Sequence, residues 1–166
     1  MKRALRQLSL VLLLAVGAWL WTVFFPRPEV VIQRRLAKVA QLVSFAPKEG
    51  NIARVANVQR LGGYFADGLE VQLGDARLKD HTFTRREELL QACMAARQAV
   101  AALQVRFVDV QVKLGAPADH AAAELTLEAN VAGEADPIYQ QLRFDLVNTN
   151  GDWLITRIAA VKTLTP

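Results

Sequence analysis

Residues 139–163, YQQLRFDLVNTNGDWLITRIAAVKT, contain two alternating apolar and polar runs on either side of Asn150-Gly151. Asn-Gly is a favoured pair for a two-residue hairpin turn, because a type I′ turn requires positive φ at both positions. The runs 139–148 and 152–163 are therefore predicted to form an antiparallel β-hairpin.

Two more alternating runs precede this hairpin, at 104–114 and 121–131. Turn-forming sequences separate the runs: GAPAD at 115–119 and GEADP at 133–137. Because successive side chains of a strand point to opposite faces, each run is predicted to have one apolar and one polar face. The predicted apolar face carries Ala121, Ala123, Leu125, Leu127, Ala129, Val131, Leu142, Phe144 and Leu146, and the polar face carries Glu124, Thr126, Glu128, Asn130, Gln141, Arg143 and Asp145.

The part of the chain before residue 104 has helical periodicity instead. Two amphipathic helices are predicted over 28–45 and 51–65, and a short strand over 69–74. A third helix begins at Thr84, where Glu87 gives capping-box spacing. Helices followed by an antiparallel meander predict an α+β domain. The predicted buried positions are Ile32, Leu36, Val39 and Val43 in the first helix, Ile52, Val55, Val58, Leu61 and Phe65 in the second, and Leu89, Cys93, Ala96, Val100 and Leu103 in the third.

The first 26 residues are predicted to be a short basic tail followed by a transmembrane signal-anchor helix, with one domain over 27–166. Residues 8–25 are apolar apart from a serine, a glycine and a threonine. Eighteen helical residues span about 27 Å, close to the ~30 Å hydrocarbon core of a bilayer. The alternative is a signal peptide cleaved near 16–18, but an aromatic-rich segment rather than a polar one follows that position.

The membrane orientation is less constrained by the sequence. Basic residues lie on both sides of the apolar run, so their count does not choose between the two topologies. A short basic tail before a long folded part favours an amino end in the cytosol. The predicted location is the bacterial inner membrane, with a single span and the domain on the periplasmic side.

The positive charge of the chain is concentrated near the predicted anchor. Residues 1–60 carry ten Lys and Arg against two acids, net +8, whereas residues 61–166 carry ten against fourteen, net −4, which gives the overall +4. Anionic headgroups attract such a basic segment. The distal half has no basic stripe with interspersed aromatic residues, so nucleic acid is not predicted as a partner.

Short motifs in this domain resemble the NTF2-like superfamily, including its SnoaL-like and ketosteroid-isomerase-like members. They are YFADGLEVQL (64–73), FTRREELLQACMAAR (83–97) and NGDWLITRIAAV (150–161). The resemblance implies a cone of three helices on a curved antiparallel sheet, and a homodimer formed through the outer sheet face. The superfamily contains isomerases, cyclases and dehydratases, but also transport factors and anchored scaffold subunits of bacterial secretion systems. The resemblance therefore does not decide the function.

The catalytic residues of the ketosteroid isomerases are not reproduced. Aligning their strand motif on this chain puts Leu73 at the position of the general base, and the predicted first helix, 28–45, contains no tyrosine donor. Asp109 is the remaining weak candidate for a base, provided that it points into the cone, where desolvation would raise its pKa. Residues that could line a cavity are Tyr64, Phe65, Leu73, Phe83, Phe144 and Trp153, although such aromatic residues are commonly core.

No cofactor or metal is predicted, because the chain lacks a metal-binding Cys/His pattern and a nucleotide-binding glycine motif. His81 and His120 are interpreted as exposed, and Cys93, the only cysteine, as a small core residue. The leading hypothesis is a membrane-tethered, non-enzymatic domain that binds a small apolar ligand or a protein in an apolar pocket or on a sheet face. The alternative hypothesis is a small lyase or isomerase with Asp109 as general base.

Overall fold

The computed structural model describes residues 27–73 and 81–161, without the side chains of Leu73 and His81. The chain divides into two compact units, 1–31 and 32–166. The elements are α1 (Pro28–Val43), α2 (Asn51–Gly62), β1 (Phe65–Leu73), β2 (His81–Phe83), α3 (Arg86–Ala99), β3 (Leu103–Leu114), β4 (His120–Val131), β5 (Ile138–Thr149) and β6 (Asp152–Ala160).

The six strands form one curved sheet in the order β2-β1-β6-β5-β4-β3, on which the helices pack. The sheet was predicted to be antiparallel throughout. It contains one parallel pair, β1 with β6, while the other neighbours are antiparallel. A parallel pair needs a long crossover between its strands, and here most of the domain lies between β1 and β6.

The predicted β5–β6 hairpin is confirmed. Thr149 pairs with Asp152, and the two residues between them have positive φ, 56° at Asn150 and 93° at Gly151. The predicted division of the β4 and β5 faces is also confirmed, because Ala123, Phe144 and their neighbours at every second position are buried. The apolar face of the sheet therefore forms the core of the domain.

Several boundaries differ from the prediction for identifiable reasons. Helix α1 ends at Val43 rather than at 45, because Phe45 exchanges two backbone hydrogen bonds with Leu103 at the edge of β3. Helix α2 ends at Gly62 rather than at 65, since Phe65 already belongs to β1. Strand β2 was predicted as a loop, and its three residues are too few to show an alternating pattern.

The capping box predicted from Thr84 and Glu87 does not form. The residue that precedes α3 is Arg85, in an extended conformation and without a side-chain cap. The Glu88 carboxylate accepts a hydrogen bond of 3.2 Å from the backbone N–H of Thr84 instead. This contact is the principal cause of the lowered pKa of Glu88. The helix thus starts one residue later than the motif indicates. The glutamate that accepts the backbone hydrogen bond is correspondingly Glu88 rather than Glu87.

Burial in two helices differs from the prediction. In α2, Val58 and Leu61 are buried as predicted, but Ile52 is 88% exposed and Val55 45% exposed. In α3, the predicted core residue Ala96 is exposed, and the adjacent Arg97 is the buried one. In α3 the buried position thus differs from the predicted one by one residue, or roughly 100° of helix. In α2 the predicted face is correct, but its amino-terminal half is not covered.

Gly62 explains how α2 and α3 approach each other. A Cβ atom at this buried position would lie only 3.1 Å from a methyl carbon of Leu90 on α3. The glycine therefore permits close packing at the end of α2.

Within the described residues no helix is long and apolar enough to span a bilayer. The predicted anchor, residues 8–25, lies outside the described residues.

Candidate functional site

A buried arginine organises one end of the domain. Arg97, near the end of α3, is 4% exposed, and its Nη1 donates a hydrogen bond of 2.5 Å to the Glu49 carboxylate. Its Nη2 donates to the backbone carbonyls of Leu42 and Ser44, and its guanidinium lies 5.0 Å from the centre of the Phe45 ring. One side chain on α3 thus fixes the segment from 42 to 49 through four contacts.

Physical chemistry explains why a cation belongs at this place. The last carbonyls of a helix lack intrahelical donors and carry partial negative charge. The last turn of α1 contains no basic residue of its own. Arg97 supplies the missing cation to Leu42 from another helix, and Glu49 neutralises it.

Glu49 is held in its ionised form. Its burial acts to raise its pKa, but hydrogen bonds from Arg97 and Asn57, together with the charges of Arg97 and Arg54, outweigh that effect and lower the pKa overall. The Asn57 amide is 2.9 Å from the carboxylate. The sequence analysis did not identify Arg97 or Glu49, because an acid and a base 48 positions apart carry no local signal.

An apolar groove lies against this segment. It has a volume of about 550 Å³ and is open to solvent. Its walls come from residues 44–47, from 102–104 at the start of β3, and from 130–132 at the end of β4. This volume is within the range of small-ligand sites. Because Arg97 contacts Ser44 and Phe45, it determines the position of one wall.

The polar face of the sheet, which we call the outer face, carries charges of alternating sign. Arg106 on β3 is 2.7 Å from Glu128 on β4, and Arg143 on β5 is 3.0 Å from Asp145. Next to Glu128, on β5, Tyr139 is 62% exposed. The outer face therefore combines balanced charge with one large protruding aromatic side chain.

Asp109 lies at an irregularity of β3. The β3–β4 register shifts between Val108 and Gln111, and Asp109 has a φ of 54°. Its side chain is exposed and lines an open hollow of about 210 Å³ on the outer face. This placement differs from the buried position inside the cone that a desolvated base would require. The hollow is also lined by Gln111, Glu124, Leu125, Thr126, Gln141, Leu142 and Val161.

The predicted pocket-lining residues are only partly brought together. Phe65, Phe144 and Trp153 are each no more than 3% exposed, as part of the packed core. Phe144 packs edge to face on Phe107, with ring centres 5.5 Å apart. Tyr64 and Phe83 are half-buried, and the Leu73 side chain lies outside the described residues.

The other candidate groups do not converge either. Cys93 is half-buried, and burial raises the pKa of its thiol, which disfavours a nucleophilic thiolate. His120 is exposed and pairs with the adjacent Asp119 at 2.8 Å, a contact that lowers the pKa of that carboxyl. The His81 side chain lies outside the described residues. Within 27–73 and 81–161, no three His, Cys, Asp or Glu residues are grouped so that they could hold a metal ion.

Comparison with known proteins shows similarity at the level of structure alone. No protein-family model and no curated protein matches the sequence. Among solved structures, a protein provisionally named an aromatic ring hydroxylase, from Novosphingobium aromaticivorans, is similar with a TM-score of 0.63 and 13% identity over 83% of this chain and 90% of that one. A provisionally named scytalone dehydratase from the same organism gives 0.59 and 12%, over 80% and 82%.

An uncharacterised protein with a cystatin-like fold from Caulobacter vibrioides gives a TM-score of 0.59 and 14% identity, over 79% of this chain and 87% of that one. The domain has an NTF2-like fold. The fold expected from the sequence motifs is thereby supported. At 12–14% identity, the NTF2-like fold is shared without any indication that the site residues are.

Proposed function

We propose that this chain is a membrane-tethered, non-enzymatic binding domain that pairs with a second copy through its outer sheet face. The observation that carries the proposal is the sorting of side chains in the sheet. The inward positions of β4 and β5 hold Ala, Leu and Phe, whereas the charged residues lie on the outer face. An interior of hydrocarbon suits packing rather than proton transfer.

The tether is supported by the apolar run at 8–25 and by the basic residues around it. We propose a single span in the bacterial inner membrane with the domain on the periplasmic side. Confinement to a membrane raises the effective concentration of each copy for the other, which favours pairing.

The outer face has two features that complement each other in a face-to-face pair. Tyr139 protrudes, and Gln141, two residues further along the same face, borders the hollow that contains Asp109 and Glu124. Two residues of a strand span about 7 Å. A two-fold axis between these positions would place Tyr139 of each copy in the hollow of the other, where a carboxylate can accept a hydrogen bond from its hydroxyl.

The apolar groove is a second candidate surface. Its lining by Phe45, Leu103 and Val131 favours a small apolar ligand. The alternative of a lyase or isomerase is less well supported, because Asp109 is solvent-exposed. The names of the two Novosphingobium proteins describe those proteins and leave the chemistry of this chain open.

Replacing Tyr139 by glutamate is expected to dissociate the pair. The substitution removes the protruding ring and places a negative charge opposite Asp109 and Glu124. Loss of a central interface tyrosine typically costs 2 kcal/mol or more, so we expect the dimer Kd to rise at least about 30-fold. Sedimentation of the full chain in a non-ionic detergent measures the change.

The matched control is Ile52→Glu, which adds the same charge at an exposed apolar residue of α2. It is expected to leave the dimer intact. A wild-type chain that sediments as a monomer, or an equal effect of the two substitutions, would contradict pairing through the outer face.

A further inference from the structure

Ion pairing is unevenly distributed along the chain. Among the described residues beyond 60, every arginine lies within ion-pairing distance of a carboxylate; these are Arg85, Arg86, Arg97, Arg106, Arg143 and Arg157. In the described part of 32–60, by contrast, only Arg35 has such a partner, Asp152. The exposed cations Arg34, Lys38, Lys48 and Arg60 have no carboxylate partner in the described structure.

Two of these cations form one face of α1. Arg34 and Lys38 are four residues apart, so they lie on the same face of the helix, about one turn from each other. The opposite side of the helix buries Ile32, Leu36 and Val39 in the core. The only polar contact of the Lys38 ammonium in the described structure is with Gln41, at 2.9 Å, which leaves its charge uncompensated.

Solvation alone accounts for many exposed lysines and arginines, but it does not account for this distribution. The arginines described on α3 and on the sheet are paired with carboxylates, whereas Arg34, Lys38, Lys48 and Arg60, in the segment that follows the predicted anchor, are not. Arg34 is nine residues from Phe25, so the covalent chain holds it near the bilayer when the anchor is inserted. A polybasic segment next to a membrane span attracts anionic lipid.

We propose that the unpaired cations of α1, Arg34 and Lys38, bind the headgroups of anionic phospholipids and hold the domain against the membrane. This inference rests on the tether proposed above. Its consequence is orientational, because a domain docked by its helices has a restricted set of orientations in which to meet a second copy.

The test uses the full chain in lipid nanodiscs with a fluorophore on α1. Ala37 is exposed between Arg34 and Lys38, so Ala37→Cys in a Cys93→Ala background carries a single NBD label. We expect lipids with TEMPO-labelled headgroups to quench the label strongly in discs that contain phosphatidylglycerol and weakly in pure phosphatidylcholine. High salt should remove the difference, because it screens exposed charges.

Neutral substitutions then test whether Arg34 and Lys38 cause the quenching that depends on anionic lipid. Each basic residue near an anionic surface contributes about 1 kcal/mol, so Arg34→Gln with Lys38→Gln is expected to lower the ratio of docked to free domain roughly 30-fold. Lys113→Gln is the matched control, since Lys113 is an exposed cation of β3 that has no carboxylate partner in the described structure.

Equal quenching in both lipids, or an equal effect of the control, would overturn the proposal. Failure of the tether is recognised separately, because carbonate would then extract the full chain from membranes. If the chain resists extraction but shows no dependence on anionic lipid, the tether stands and the headgroup contact is wrong.

Discussion

Replacing Arg97 by alanine is expected to lower the free energy of unfolding by about 3–5 kcal/mol, because one partner of a buried ion pair is removed and the other remains. Glu49 would keep a half-buried carboxylate without its guanidinium, and the carbonyls of Leu42 and Ser44 would lose their donor. Pulse proteolysis of the full chain in nanodiscs over a urea series measures the change.

A double-mutant cycle separates the interaction between Arg97 and Glu49 from the contacts that each makes with other groups. Arg97→Met and Glu49→Leu each leave an unpaired buried charge, whereas the double variant leaves none. We expect a coupling free energy of about 2–3 kcal/mol between the two substitutions. Arg85→Ala is the matched control. Arg85 also pairs with a glutamate, Glu88, but its side chain is 70% exposed, so a loss of less than about 1 kcal/mol is expected.

The pair also predicts a pH dependence. Since the folded-state pKa of Glu49 lies below its unfolded value, the stabilisation is complete above the unfolded pKa of about 4.3 and is lost as the pH falls through the folded value. Glu49→Gln should weaken this decrease of the unfolding free energy at acid pH, which is the acid limb of the stability profile. A limb of unchanged slope, or an Arg97→Ala cost near that of Arg85→Ala, would show that the pair is not the organising contact.

The strands could be predicted because their signal is local. In β4, Ala121, Ala123, Leu125 and Ala129 are buried as their sequence pattern indicates, and Asn150-Gly151 predicts a turn from its own backbone preference. The boundaries of α1 and α2 were less accurate, since they depend on partners distant in the chain. Phe45 leaves the helix to bond with Leu103, and no periodicity encodes that contact.

The buried residues of α2 and α3 could not be fully predicted, for a related reason. A helical pattern records which residues are apolar, but it does not record whether another element covers them, so Ile52 was assigned to the core. Arg97 was not among the predicted core residues, because an arginine is normally solvated. Only Glu49 and the end of α1 make its burial favourable, and both are set by the tertiary structure.

Asp109 shows that the face of a strand residue can also be unpredictable from the sequence pattern. Alternation alone could not decide its face, because the register shift after Val108 changes which residues of β3 point outward. The positive φ at Asp109 is tolerated by aspartate better than by the branched residues around it. A bulge of one residue therefore decided whether the chain had a candidate base inside the cone.

Phe144→Ala is expected to cost about 3–5 kcal/mol of unfolding free energy if the interior is packed. Phe144 is 2% exposed, contacts the Phe107 ring edge to face, and pairs with Ala123 on β4 and Ile158 on β6. The alanine at 123 offers no side chain that could fill the vacated space, so the cavity would remain. The same urea series measures the loss.

Phe144→Leu retains most of the side-chain volume and is expected to lower the unfolding free energy by less than about 1.5 kcal/mol. Tyr139→Ala, measured in the monomeric chain, removes an exposed ring and is expected to lower it by less than about 0.5 kcal/mol. The loss of unfolding free energy caused by Phe144→Ala distinguishes a packed interior from an open ligand cavity. A side chain that faces an open chamber already lacks neighbours, so its truncation would cost about 1 kcal/mol or less. That result would return Phe144, Phe65 and Trp153 to the lining of a ligand cavity, and the proposed function would have to move from the outer sheet face to the interior.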